Sequence, residues 1–172
     1  SVIISEGEVL EISNDKNLEM NEDTYFQVIN GKTASLFSAA CQVGAISAGA
    51  KENDQQALKS FWTNFGMAFQ LIDDAIDYSS NSKTMGKNIG DDFKEGKITL
   101  PIILAYGRSN IKDKKFWNEI TNNKSPNENN FKKAKELLIK YNCIEDTMIR
   151  ANHFADVAID SLSIFKNNKY KQ

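Results

Sequence analysis

Residues 69–78 read FQLIDDAIDY, and with Phe65 and Ala68 just upstream they decide what kind of chain this is. On a helix turning about 100° per residue, Phe65, Ala68, Phe69, Ile72 and Ile76 fall on one broad apolar arc. Gln70, Asp73, Asp74 and Asp77 fall on the other side, because offsets of three, four and seven residues return to one face. The pattern predicts a helix anchored by its aromatic face and presenting carboxylates together. Like charges at that spacing repel unless cations neutralise them. Mg²⁺ accepts such carboxylates, with water and a substrate phosphate completing its shell. A solvated acidic helix end and a Ca²⁺ loop compete with this reading.

The residues that follow weigh against calcium. Lys83, Gly86, Lys87, Gly90, Asp91, Asp92, Gly96 and Lys97 succeed the aspartates. An EF-hand needs oxygen ligands at alternating positions and a closing glutamate. Counted from Asp73 or Asp77, Lys83 and Thr84 stand where ligands belong. Alternating lysines and aspartates suit a polyanion held both directly and through metal ions. A second stretch, NGKTAS at 30–35, has the Gly-Lys-Thr of a P-loop, but Phe26 stands where the first glycine belongs. No strand pattern precedes it. Lys32 and Thr33 can still offer an ammonium and a hydroxyl to a phosphate.

Composition narrows the classes. The 172 residues are enough for one core, with 41% hydrophobic and 26% charged residues as in an ordinary globular domain. A net charge of -2 argues against a general nucleic-acid or anionic-membrane binder. No apolar run of about 18 residues occurs, and the opening SVIISE lacks the basic region of a signal peptide. Cys41 and Cys143 share no metal-binding spacing and read as buried thiols in a reducing compartment. The single histidine, His153, leaves no basis for Ser-His or Cys-His catalysis elsewhere and reads as structural or exposed.

Helical periodicity recurs and period-two alternation does not, so the chain reads as all-α. One helix is expected over Thr24 to Ala50, rich in small residues, and a second from a cap at Asn53 or Asp54 to about Tyr78. A loop follows to residue 98, and Thr99-Leu100-Pro101 looks like a helix start. Residues 109–130 read as a polar connection around a short helix, DKKFWNEI. Met148, Ala151, Ala155, Ala158, Leu162 and Phe165 then form one apolar stripe.

Taken together, EGEVL at 6–10, KTASLFSAA at 32–40, FQLIDDAIDY at 69–78, GKNIGDDFKEGKITLP at 86–101 and DTMIRANHFADVAIDSL at 146–162 resemble the C-terminal half of trans-polyprenyl diphosphate synthases. The resemblance runs from about residue 3 to about residue 165 and is most specific over 69–101. Its details look like bacterial long-chain enzymes making octaprenyl or decaprenyl diphosphate for ubiquinone side chains. It implies the all-α isoprenoid-synthase helical bundle, usually dimeric, around a deep cavity. It implies Mg²⁺ held by Asp73, with Asp77 nearby, Asp74 supporting, and Asp91 holding Mg²⁺-bound water or the diphosphate network. Lys32, Thr33 and Lys87 would contact an allylic diphosphate beside Gln70. Isopentenyl diphosphate would be the second substrate, in a cytoplasmic homodimer whose lipid-soluble product brings it near membranes.

The departures carry weight too. Before residue 70 the aspartates are Asp15, Asp23 and Asp54, so the family's first aspartate-rich motif is absent. Arg108 and Arg150 are the only arginines, so those that bind isopentenyl diphosphate in the family are absent as well. Residues 1–172 are therefore expected to be the C-terminal portion of a single synthase domain, without the N-terminal helices and the last helix, and inactive alone. A non-catalytic subunit of a heteromeric prenyltransferase and a related terpene synthase are the competing readings.

Overall fold

A computed structural model describes residues 2–79, 90–122, 127–169 and 171; Lys83, Gly86, Lys87 and Pro126 lie outside them. Every regular element among the described residues is helical. In chain order these are α1 (Val2–Ser13), α2 (Glu22–Ile29), a π-helical turn (Asn30–Ala34), α3 (Ser35–Ser47), α4 (Glu52–Ile76), α5 (Asp91–Glu95), α6 (Leu100–Arg108), α7 (Ile111–Asn122), α8 (Glu128–Lys140) and α9 (Cys143–Ser161). None of the helices is long and apolar enough to cross a membrane.

The expected Thr24–Ala50 helix starts two residues earlier. Asn21 is its cap, with Oδ1 accepting the Thr24 N–H at 2.8 Å. The helix widens into the π-helical turn at NGKTA and stops when Gly49 takes a positive φ of 68°. The second helix begins at Glu52 after an extended Lys51, not at a cap from Asn53 or Asp54. Asp54 instead joins Glu52 in the first turn, where negative charge suits the helix dipole. Thr99 precedes α6 in an extended conformation and Pro101 lies in its first turn, as expected.

The long helix α4 lies between α9 on one side and α3 with the π-helical turn on the other. Its anchoring face matches the predicted one at Ala68 and Ile72 but not at the two phenylalanines. Gly66, Met67, Ala68, Leu71 and Ala75 are buried, whereas Phe65 and Phe69 are 40% and 51% exposed. The apolar arc is wider than the contact, and the close helix approach selects small residues. A Cβ on Gly66 would come within 2.8 Å of the Ala34 Cα. Phe65 and Phe69 instead surround Phe37, at ring distances of 6.3 and 6.4 Å, outside the core.

Residues 109–130 are more than a polar connection. Helix α7 buries Trp117 completely, and its Nε1 donates to Ser109 Oγ at 3.2 Å. Truncating such a side chain to alanine costs about 3–5 kcal/mol. Part of the expected loop before residue 98 is the short helix α5. Within the C-terminal stripe, Ala151 and Ala158 are buried, and Leu162 and Phe165 lie beyond the end of α9. Cys143 is buried, but Cys41 is only partly so, and His153 is exposed.

Candidate active site

The π-helical turn is held between two helices by glycine contacts. A Cβ on Gly31 would come within 2.9 Å of the Gly7 Cα on α1, so two backbones touch there. Gly66 of α4 approaches the same turn from the other side at Ala34. A π-helical turn rotates the residues that follow it relative to a regular helix. Lys32 and Thr33, on that turn, line a cavity of about 200 Å³ together with Gln70, Asp73 and Asp74 of α4. The predicted residues of these two elements, thirty-seven positions apart at Thr33 and Gln70, thus meet in one place.

Side-chain hydrogen bonds order that wall. Thr33 Oγ1 donates to Gln70 Oε1 at 3.2 Å, and Gln70 Nε2 donates to Asp74 Oδ1 at 2.8 Å. Tyr25 of α2 donates its hydroxyl to Asp74 Oδ2. Asp74 is 2% exposed, so both its oxygens are engaged within the protein. Burial pushes its pKa up to about 7, against the pull of the Tyr25 and Gln70 bonds, and Asp92 and Asp73 add to the rise. Burial also raises the Tyr25 phenol, with Asp74 the next cause.

The remaining predicted residues separate. Asp77 caps α4 and turns away from the cavity; its Oδ1 accepts the N–H groups of Gly90 and Asp91, both at 3.1 Å. Burial raises its pKa first, and Asp92 adds to the rise. Asp91 does not line the cavity and lies 3.6 Å from Lys94 on the outer side of α5. Lys87 falls outside the described residues.

Asp92, Lys97, Glu11 and Tyr25 are among the cavity residues that had no individual role assigned from sequence. Asp92 lines it where Asp91 was expected, and accepts from Lys97 Nζ at 2.8 Å. Partial burial lowers the Lys97 pKa, but its bonds to Asp92 and Glu95 outweigh that and hold it raised. Glu11 of α1 accepts from Lys32 Nζ at 2.7 and 2.9 Å. Tyr25 of α2 lines the cavity as well; the π-helical turn that carries Lys32 breaks the regular offset between the two, so no spacing pointed to it.

Among the described residues no three Asp, Glu, His or Cys side chains converge as a complete metal cage. Five carboxylates among the described residues line the cavity, Glu11, Asp15, Asp73, Asp74 and Asp92; Asp74 is engaged by Tyr25 and Gln70, and Glu11 by Lys32. One or two carboxylates fit a hard cation that takes its other oxygens from water and phosphate.

The geometry has relatives. A family model described as Polyprenyl synthetase matches residues 1–138. Octaprenyl diphosphate synthase of Haemophilus influenzae is 36% identical over 170 residues, covering 99% of this chain and 51% of that protein. A polyprenyl synthase from Caulobacter crescentus, solved with calcium and isoprenyl diphosphate, has a TM-score of 0.91 at 40% identity, over 98% of this chain and 52% of that one. A decaprenyl diphosphate synthase from Rhodobacter capsulatus has a TM-score of 0.91 at 38% identity, over 99% and 53%. The chain spans about half the length of these relatives. Its all-α fold is the isoprenoid-synthase helical fold of these polyprenyl synthase structures.

Proposed function

Because the chain belongs to the polyprenyl synthetase family, we propose that it supplies one side of the active site of a Mg²⁺-dependent prenyltransferase. The reaction is the repeated trans condensation of isopentenyl diphosphate onto an allylic diphosphate. The allylic C–O bond breaks, the isopentenyl alkene forms the new C–C bond, and a proton leaves to the released pyrophosphate. The product is a long-chain polyprenyl diphosphate, a quinone side-chain precursor. That length follows the octaprenyl and decaprenyl products named for two of the relatives. The proposal includes a cytoplasmic homodimer and a chain that is inactive alone, as the C-terminal portion of one synthase domain.

The observation that carries the reading is the convergence of Lys32, Thr33, Gln70 and Asp73 on one cavity. Lys32 exchanges Glu11 for the diphosphate and neutralises part of its charge. Thr33 is oriented by Gln70, which Asp74 and Tyr25 hold in turn. Asp73 and Asp92 would hold Mg²⁺. That ion supplies charge neutralisation to the departing pyrophosphate. Lys97 keeps Asp92 in place. Labelled isopentenyl diphosphate incorporation by the complete polypeptide carrying this chain tests the proposal. It predicts products that need both Mg²⁺ and an allylic primer; no incorporation under those conditions would refute it.

A further inference from the structure

We infer that Asp77 is a positioning residue and not a metal ligand: its carboxylate fastens α5 to the end of α4 and so sets where Asp92 and Lys97 stand in the cavity. The inference deepens the proposed function and rests on it for the meaning of the cavity. Asp77 follows Asp73 by one helical turn, a spacing that would put both side chains on one face. Asp77, the C-cap of α4, keeps the helical backbone with its N–H on the Asp73 carbonyl, yet its carboxylate is engaged by the start of α5. Its Oδ1 takes the N–H groups of Gly90 and Asp91 at 3.1 Å each, and its backbone carbonyl takes the Gly90 N–H at 3.0 Å. The other oxygen, Oδ2, is buried with no hydrogen-bond partner among the described residues, and Asp77 does not line the cavity.

The junction is fixed from behind as well. Gly90 has a positive φ of 81°, and a Cβ there would lie 2.8 Å from the Phe131 ring. Phe131 packs against Phe93 and Tyr78 at ring distances of 5.3 and 6.1 Å. Gly90 can therefore neither carry a side chain nor slide toward α8. With the start of α5 held at Asp77 and Phe131, Asp92 reaches the cavity and its bond to Lys97.

The test compares Asp77→Asn, Asp77→Ala and Asp73→Asn in the complete polypeptide. Amide hydrogen exchange across residues 90–97 is followed without Mg²⁺ or substrate, and turnover is followed against Mg²⁺ concentration. Asn keeps an acceptor oxygen, so it should preserve protection of 90–97 and lose at most about fivefold in turnover, with the Mg²⁺ requirement unchanged. Ala should lose that protection and about 10–100-fold in turnover. Asp73→Asn should raise the Mg²⁺ requirement and leave the exchange unchanged. If Asp77→Asn raises the Mg²⁺ requirement as Asp73→Asn does, the inference is overturned. Protection of 90–97 that survives in Asp77→Ala overturns it too. Should Asp77→Ala fail to fold, the two asparagine variants still decide. The exchange readout needs no prenyl transfer, so loss of the proposed function would be seen separately.

Discussion

The hydroxyl of Tyr25 on α2 donates to the carboxylate of Asp74 on α4, forty-nine residues away, inside the protein. Tyr25 is 3% exposed and Asp74 2%, so neither can turn to water instead. Through Asp74 the bond reaches Gln70, and through Gln70 it reaches Thr33 on the cavity wall.

Tyr25→Phe removes this donor and keeps the ring. A buried acceptor that loses its partner costs about 1–3 kcal/mol, readable by chemical denaturation. The catalytic effect should run through Thr33. The drop in kcat/KM for the allylic diphosphate should therefore be largely absent when the change is made in a Thr33→Val background. Additive losses would show that Tyr25 acts by another route.

The raised pKa of Asp74 predicts a pH dependence of stability in the metal-free protein. In the folded state the carboxyl titrates at about 7, above its ordinary 3.8. Between those values the native state binds the proton that the unfolded chain releases. Stability therefore falls as pH rises from about 4 to about 7 and then levels off. Urea denaturation at pH 5 and pH 8 should show the decline, and Asp74→Asn should reduce it. An unchanged slope in Asp74→Asn would assign the effect to other groups.

Glu11 pairs with the Lys32 ammonium that the proposed function assigns to the diphosphate. The pair with Lys32 is substantially exposed, at 48% and 41% for the two side chains. Exposed pairs contribute about 0.2–1 kcal/mol, so Glu11→Gln should tighten pyrophosphate binding by at most about fivefold. Titration calorimetry at low and high salt checks it, and the gain should shrink as salt screens the charges. Weaker binding in Glu11→Gln would mean that Glu11 holds Lys32 in its working position.

Much of this was legible before any coordinates. The 3.6-residue period gave the helices, and Thr99-Leu100-Pro101 marked the start of α6. Lys32, Thr33, Gln70 and Asp73 were expected together from the family motifs, and the fold brings them to one cavity. Asp77 keeps the helical backbone one turn beyond Asp73, but its carboxylate takes the N–H groups of Gly90 and Asp91, which no spacing announces. The choice between Asp91 and Asp92 depended on α5, a five-residue helix too short to show a period. Phe65 and Phe69 were misplaced because apolarity marks every face that could be covered, while close packing on Ala34 selected Gly66. The Tyr25–Asp74 bond spans elements that no local pattern connects.

The central claim is that Asp73 brings the metal-bound diphosphate to this cavity. The direct measurement is turnover of the complete polypeptide against Mg²⁺ concentration for three forms: unaltered, Asp73→Ala and Cys143→Ala. Asp73→Ala should lose at least about a thousandfold, as expected when electrostatic stabilisation of the transition state is removed. Cys143 is buried away from the cavity, so Cys143→Ala should stay within a few-fold while melting lower. Equal losses in the two variants, following their loss of thermal stability, would contradict the claim and reduce Asp73 to a structural residue.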